Sequence, residues 1–184
     1  MKRIISILLL TVFCAFSSVS TFASTLDEIA KIENKKSQEK IDRYSIEQNR
    51  EKNIVTLSNG VMKDISRWQI VHFMSSNCQY CIQFNPVLKH ISEQIKIPVF
   101  TYSFDGKGDS YFPTVIPTNS AITDTFFAEL PMATPTDFLV NIDTLMTVPI
   151  SQGAISYDAF IKRLNDVFII ADDLERDLKN DSKK

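Results

Sequence analysis

Two cysteines separated by two residues, Asn77-Cys78-Gln79-Tyr80-Cys81, are the groups in this 184-residue chain best suited to do chemistry. Residues three apart on a helix share a face, so two such thiols can reach disulfide distance. A helix N-terminus offers unpaired N–H groups and a partial positive charge, which favours a thiolate at the first cysteine. The chemistry this predicts is thiol–disulfide exchange. Cys78, the more exposed sulfur, attacks a substrate disulfide, and the more buried Cys81 resolves the mixed disulfide. A structural crosslink explains the pair poorly, because it closes almost no loop and removes little unfolded-state entropy. Zinc usually takes four ligands. Beyond the thiols there are only two histidines, His72 and His90, on different elements. No metal is expected, and no cofactor other than the redox-active Cys78–Cys81 pair.

The elements that position the pair follow from hydrophobic patterning. Gln69 to Met74 (QIVHFM) is a continuous apolar run suited to a buried central strand. A helix is predicted from about Cys78 to Ile95, with Cys81, Phe84, Leu88, Ile91 and Ile95 on one face. Ile54 to Leu57 reads as a strand before a turn at Asn59-Gly60. Pro98 opens a strand over Val99 to Phe104. Asn119 to Leu130 reads as a helix, Phe138 to Asn141 and Thr147 to Ile150 as a hairpin, and a last helix begins near Ser156. An early βαβ unit and a late hairpin imply an α/β fold with a mixed central sheet flanked by helices. Asp105 to Asp109 (DGKGD) lacks the length of a calcium loop and the ending of a phosphate loop, and reads as a solvated turn.

Residues 1–23 do not read as fold. Lys2 and Arg3 precede an apolar run from Ile4 to Phe16, and Thr21-Phe22-Ala23 offers small residues before a cut, the layout of a secretory signal peptide. A membrane anchor is the alternative, but the run falls short of the ~20 apolar residues that span a bilayer. Cleavage removes two of the 20 bases and none of the 22 acids, moving the net charge from −2 to −4, and takes away Cys14, the third cysteine. Cys78 and Cys81 then stand alone, in an oxidising compartment, the periplasm. Residues 24–53 read as a helical or partly disordered linker with a weak apolar stripe, 54–175 as the folded domain, and 176–184 as a polar tail. The charge balance leaves no basic surplus for nucleic acid.

A strand, a CxxC pair, a helix, a Pro-headed strand and a hairpin together resemble the thioredoxin superfamily over residues 54–170. Pro86, five residues after Cys81, matches a proline that kinks the active-site helix of those proteins. Thr134-Pro135-Thr136 matches the position of their cis-proline. Taken alone, Pro135 is a turn proline, and only about 5–6% of X–Pro bonds are cis. The resemblance implies a cis bond that presents the Thr134 backbone to an extended substrate. Thr134, Pro135 and Tyr80 are thus candidate substrate-binding residues. His72 stands where thioredoxins often hold a buried acid. Two readings stay open: an imidazole that shuttles the proton of Cys81, or a half-buried strand histidine bonded to backbone. His90 reads as surface.

A narrower resemblance rests on LSNG at 57–60, FM at 73–74, CxYC, QF at 83–84, PVLK at 86–89, DGKGD, FF at 126–127, ATPT at 133–136, FLVN at 138–141 and QGA at 152–154. These strings are similar to the TrbB family, thioredoxin-like proteins of F-type conjugative transfer systems. That resemblance implies a thioredoxin-like fold and a periplasmic disulfide isomerase or reductase. Its clients would be secreted, disulfide-containing transfer and pilus-assembly proteins, and its partner a periplasmic thiol reductase. Gln79 departs from the proline often found after the first cysteine. The competing reading is a non-catalytic scaffold or binding module that borrows the fold. Oligomeric state is open.

Overall fold

The computed structural model describes residues 28–29, 31–38 and 51–181. They fall in two compact units, one reaching Arg50 and one beginning at Glu51. In the first, residues 28–29 and 31–38 are helical, and Ile29 and Ile32 are exposed. The expected signal peptide and residues 24–27, 30 and 39–50 of the linker lie outside the described residues, while residues 51–53, read as linker, belong to the second unit.

The second unit runs β1 (Ile54–Thr56), β2 (Met62–Asp64), β3 (Trp68–Met74), α1 (Gln79–Ile95), β4 (Val99–Ser103), β5 (Ile116–Pro117), α2 (Ser120–Phe126), β6 (Thr136–Asn141), β7 (Thr147–Gln152) and α3 (Tyr157–Asp181). Five strands form one sheet in the order β5-β4-β3-β6-β7. β3 pairs parallel with β4 and antiparallel with β6, and β6 pairs antiparallel with β7. The sheet is therefore mixed, with the CxxC pair at the β3–α1 junction, as a thioredoxin-like fold requires.

Side-chain alternation divides the sheet into two packed faces. Trp68, Ile70 and Met74 of β3 join Cys81, Phe84, Leu88 and Ile91 of α1 and Phe160, Leu164 and Phe168 of α3. On the other face Val71 and Phe73 meet Phe127, Phe138 and Val140, with α2 against them. Phe73 is the hub of that layer, its ring 4.9–5.8 Å from those of Tyr102, Phe126, Phe127 and Phe138.

The β1–β2 hairpin is attached to both helices of the first face. Asn53 Nδ2 donates to the carbonyls of Ile95 and Lys96 at the end of α1, 2.9 and 3.2 Å away. Lys63 pairs with Asp172 of α3, its ammonium 5.0 Å from the centre of the Trp68 ring.

Three expectations are corrected. β2 and β5 were not anticipated: each is two or three residues long, and β5 contains a proline. α2 stops at Phe126 rather than Leu130, because Phe127 turns into the aromatic cluster and Leu130 precedes Pro131, where helical backbone is disfavoured. α3 continues to Asp181, so residues 176–181, read as tail, are helical. No Gly or Pro interrupts it, and Arg176 pairs with Asp173 along its surface.

Candidate active site

Cys78 is the N-cap of α1. Its backbone is extended (φ −79°, ψ 115°), and its Sγ accepts from the Cys81 N–H at 3.2 Å. A sulfur thus does what a Ser or Asp oxygen commonly does at this position. The first turn of α1 carries no acidic residue of its own. Cys78 N–H donates to the Ser75 carbonyl at 3.1 Å, closing the turn between β3 and α1.

The two thiols, both unpaired by any disulfide, are unequal in the sense expected. Cys81 is fully buried; Cys78 is partly exposed. Partial burial pushes the Cys78 thiol up, but hydrogen bonds from Cys81 and Thr134 outweigh it, and the thiol lies below its ordinary value. Burial, reinforced by Cys78, pushes Cys81 up to about 12.

Of the candidate substrate-binding residues, Thr134 meets the Cys78 sulfur. The Thr134–Pro135 peptide bond is cis, and Cys78 Sγ donates to the Thr134 carbonyl at 3.3 Å. Tyr80 is 62% exposed, beside the pair. Ile82 and Met132, exposed at 57% and 66%, add apolar surface on α1 and just before Thr134. Met132 was missed from the sequence, although its place two residues before Thr134 was a usable signal.

His72 is fully buried, on the α1 face of β3. Its Nδ1 meets Asp137 Oδ1 at 2.8 Å, and Ser151 Oγ donates to Asp137 Oδ2 at 3.0 Å. With a carboxylate as partner, Nδ1 is the donor. Nε2 has no hydrogen-bond partner and lies among aromatic rings: Phe84 of α1 and Phe112 stand 6.3 and 5.3 Å from the imidazole. This corrects the reading of a half-buried histidine bonded to backbone. The buried acid does exist, but it comes from β6, two residues after Pro135. A bulge between β6 and β7 sets Ser151 opposite Asp137. Asp137 was missed, though a carboxylate inside the buried strand TDFLVN was a signal that a partner had to exist. His90 is exposed, as expected.

The DGKGD segment is not a free solvated turn. Asp105 Oδ2 accepts from Ser76 N–H and Oγ at 3.0 and 2.6 Å, and its Oδ1 accepts from Ser103 Oγ at 2.6 Å. Hydrogen bonds from Ser103 and Ser76 hold the Asp105 carboxyl well below the usual carboxylate range. Asp109 Oδ2 accepts from Asn85 Nδ2 of α1 at 2.7 Å.

A family model described as "TraF: F plasmid transfer operon protein" matches residues 27–165. The protein TrbB of Escherichia coli is 44% identical over 111 residues, a stretch that spans 60% of this chain and 61% of TrbB. Among solved structures, the exposed lipoprotein thioredoxin of Streptococcus pneumoniae aligns over 63% of this chain and 99% of its own, with TM-score 0.43 and 14% identity. A thioredoxin-family thiol:disulfide interchange protein of Chlorobium tepidum aligns over 63% and 92%, with TM-score 0.44 and 12% identity. The family match takes in the β3–α1 turn, the DGKGD segment and the Thr134–Pro135 loop together, and on it this chain belongs to the TraF family of F plasmid transfer operon proteins.

Proposed function

We propose that this protein is a periplasmic thiol–disulfide oxidoreductase, a disulfide isomerase or reductase that assists folding of disulfide-containing proteins of conjugative transfer and pilus assembly. The observation that carries the reading is the setting of Cys78 Sγ. It sits between the Cys81 N–H and the Thr134 carbonyl, at a helix start, with its thiol lowered while that of Cys81 is raised. Membership of a transfer-operon family supports the choice of clients, and the signal-peptide layout of residues 1–23 supports the compartment.

The Cys78 thiolate attacks one sulfur of a client disulfide, forming a mixed disulfide and releasing the other client sulfur as a thiolate. In isomerisation, a second client thiolate attacks the client sulfur of that mixed disulfide, so Cys78 leaves as thiolate and no net oxidation occurs. In reduction, Cys81 loses its proton and attacks Cys78 Sγ. The Cys78–Cys81 disulfide forms, and the client leaves with two electrons more. An external thiol reductase then restores the dithiol. The Cys81 proton needs a base, and the candidate is His72, whose Nδ1 is held by Asp137. Thr134 offers its backbone to an extended client segment beside the cis-Pro135, and Tyr80 offers apolar contact.

The test is trapping. Cys81→Ser blocks resolution, so mixed disulfides with secreted transfer proteins should accumulate on Cys78, and Cys78→Ser should abolish them. If a protein carrying Cys78→Ser and Cys81→Ser fully restores transfer in a deletion strain, the scaffold reading replaces this one. A wholly oxidised pair in growing cells would reverse the direction of electron flow, to an oxidase.

A further inference from the structure

We infer that the DGKGD loop is a positioning clamp for the redox pair, in which Asp105 and Asp109 hold the approach to Cys78 and the helix behind Cys81 in fixed relation. The inference rests on the redox reading above and adds residues that do not touch the client.

The two grips fall on either side of the cysteines. Asp105 takes both donors of Ser76, the second residue of the turn that ends at Cys78. Asp109 takes Asn85, on the buried face of α1 one turn beyond Cys81 and directly before Pro86. Pro86 supplies no N–H to the helix ladder, so α1 lacks one backbone hydrogen bond here. The loop between the grips is itself rigid. Ser103 Oγ donates to Asp105 and accepts from the Lys107 N–H, Asp109 Oδ1 accepts from the N–H groups of Tyr111 and Phe112, and Gly108 packs so closely that a Cβ would lie 2.4 Å from the Phe112 oxygen.

Such a clamp has a redox consequence. When the pair is oxidised, the two thiols give two electrons and two protons to glutathione disulfide, which leaves as two thiols. A turn already fixed in the dithiol loses little freedom on closing, which favours the disulfide. The Asp105 carboxylate also places negative charge beside the turn, which disfavours the Cys78 thiolate. Removing it acts in one direction by both routes, toward the dithiol.

The experiment is equilibration of the whole chain with reduced and oxidised glutathione, alongside thermal unfolding. Asp105→Ala should shift the dithiol/disulfide equilibrium toward dithiol by about fivefold to tenfold. Asp105→Asn, which keeps one acceptor oxygen but no charge, should shift it less, and Asn85→Ala should shift it in the same direction. A variant that unfolds at lower temperature while its equilibrium stays within about twofold of wild type would make the loop merely structural. Asp105→Asn settles the matter should Asp105→Ala not fold. A wild-type protein that fails to exchange with glutathione at all would overturn the redox reading itself, a separate outcome.

Discussion

His72 Nδ1 lies 2.8 Å from Asp137 Oδ1 in the interior of the sheet, and neither residue reaches solvent. Burying a carboxylate costs several kcal/mol unless partners replace its water. The imidazole and Ser151 Oγ do so here. Apolar replacements of such pairs are often neutral or stabilising, so stability alone does not explain this one.

Asp137→Ala should therefore destabilise the protein by about 1–3 kcal/mol for each buried donor it strips of a partner, the His72 Nδ1–H and the Ser151 hydroxyl. The double variant His72→Leu, Asp137→Leu should cost less than the single change. Urea unfolding of the three proteins measures both, and a double variant weaker than the single one would contradict the assignment.

The unequal thiols set the pH behaviour of the reduced protein. Near neutral pH, iodoacetamide should label Cys78 more than about tenfold faster than Cys81, because the Cys78 thiol lies below the ordinary 9.0 and that of Cys81 lies at about 12. Stability carries both signs. Below 9.0 the unfolded chain holds the Cys78 proton more tightly than the folded one, so stability from Cys78 grows as pH rises toward 9.0. Between 9.0 and about 12 the folded chain keeps the Cys81 proton that the unfolded chain loses, so stability from Cys81 falls as pH rises. Unfolding midpoints of wild type and of Cys81→Ala across pH 8 to 11 separate the two: the high-pH loss should shrink in the variant.

Gly108 and Gly60 should respond to alanine for different reasons. At Gly108 a Cβ would sit 2.4 Å from the Phe112 oxygen and 2.7 Å from the Pro113 oxygen, both backbone atoms. Gly108→Ala should cost about 1–3 kcal/mol through a forced backbone shift. Gly60 has open space around it but a φ of +82°, so Gly60→Ala should cost about 1–2 kcal/mol through backbone strain alone. Only the first should also shift the glutathione equilibrium.

Phe73 lies at the centre of the α2 face, with five rings packed around it. Phe73→Ala should cost about 3–5 kcal/mol, read from the urea midpoint. Phe100→Ala, at a partly exposed edge of the same layer, should cost far less.

What the sequence makes legible is what depends on neighbours along the chain. The CxxC spacing, the apolar run of β3, the α1 face and the β6–β7 hairpin are local patterns, and all form. The proline at 135 has a local meaning only once a family position is assigned to it. The rest of the site depends on partners far apart: His72 and Asp137 are 65 residues apart, Ser76 and Asp105 29, Asn85 and Asp109 24. No periodicity links such pairs. A charged or amide side chain within an apolar face, as at Asp137 and Asn85, declares that a partner is needed without saying where it lies. β2 and β5 are too short to carry a pattern, and exist because their neighbours offer an edge.

The cap at the start of α1 is made by the atom that reacts. While Cys78 is free, its sulfur accepts the Cys81 N–H. Once that sulfur is bound to a client it is a weaker acceptor than a thiolate, and the first turn of the helix loses part of its fastening. The Cys81 amide becomes a clock for the covalent complex. Its hydrogen should exchange with deuterated solvent faster in the trapped species than in the free dithiol, while the amide of Leu88, two turns further on, keeps its pace. Catalytic occupancy could then be followed from the backbone, without labelling either thiol.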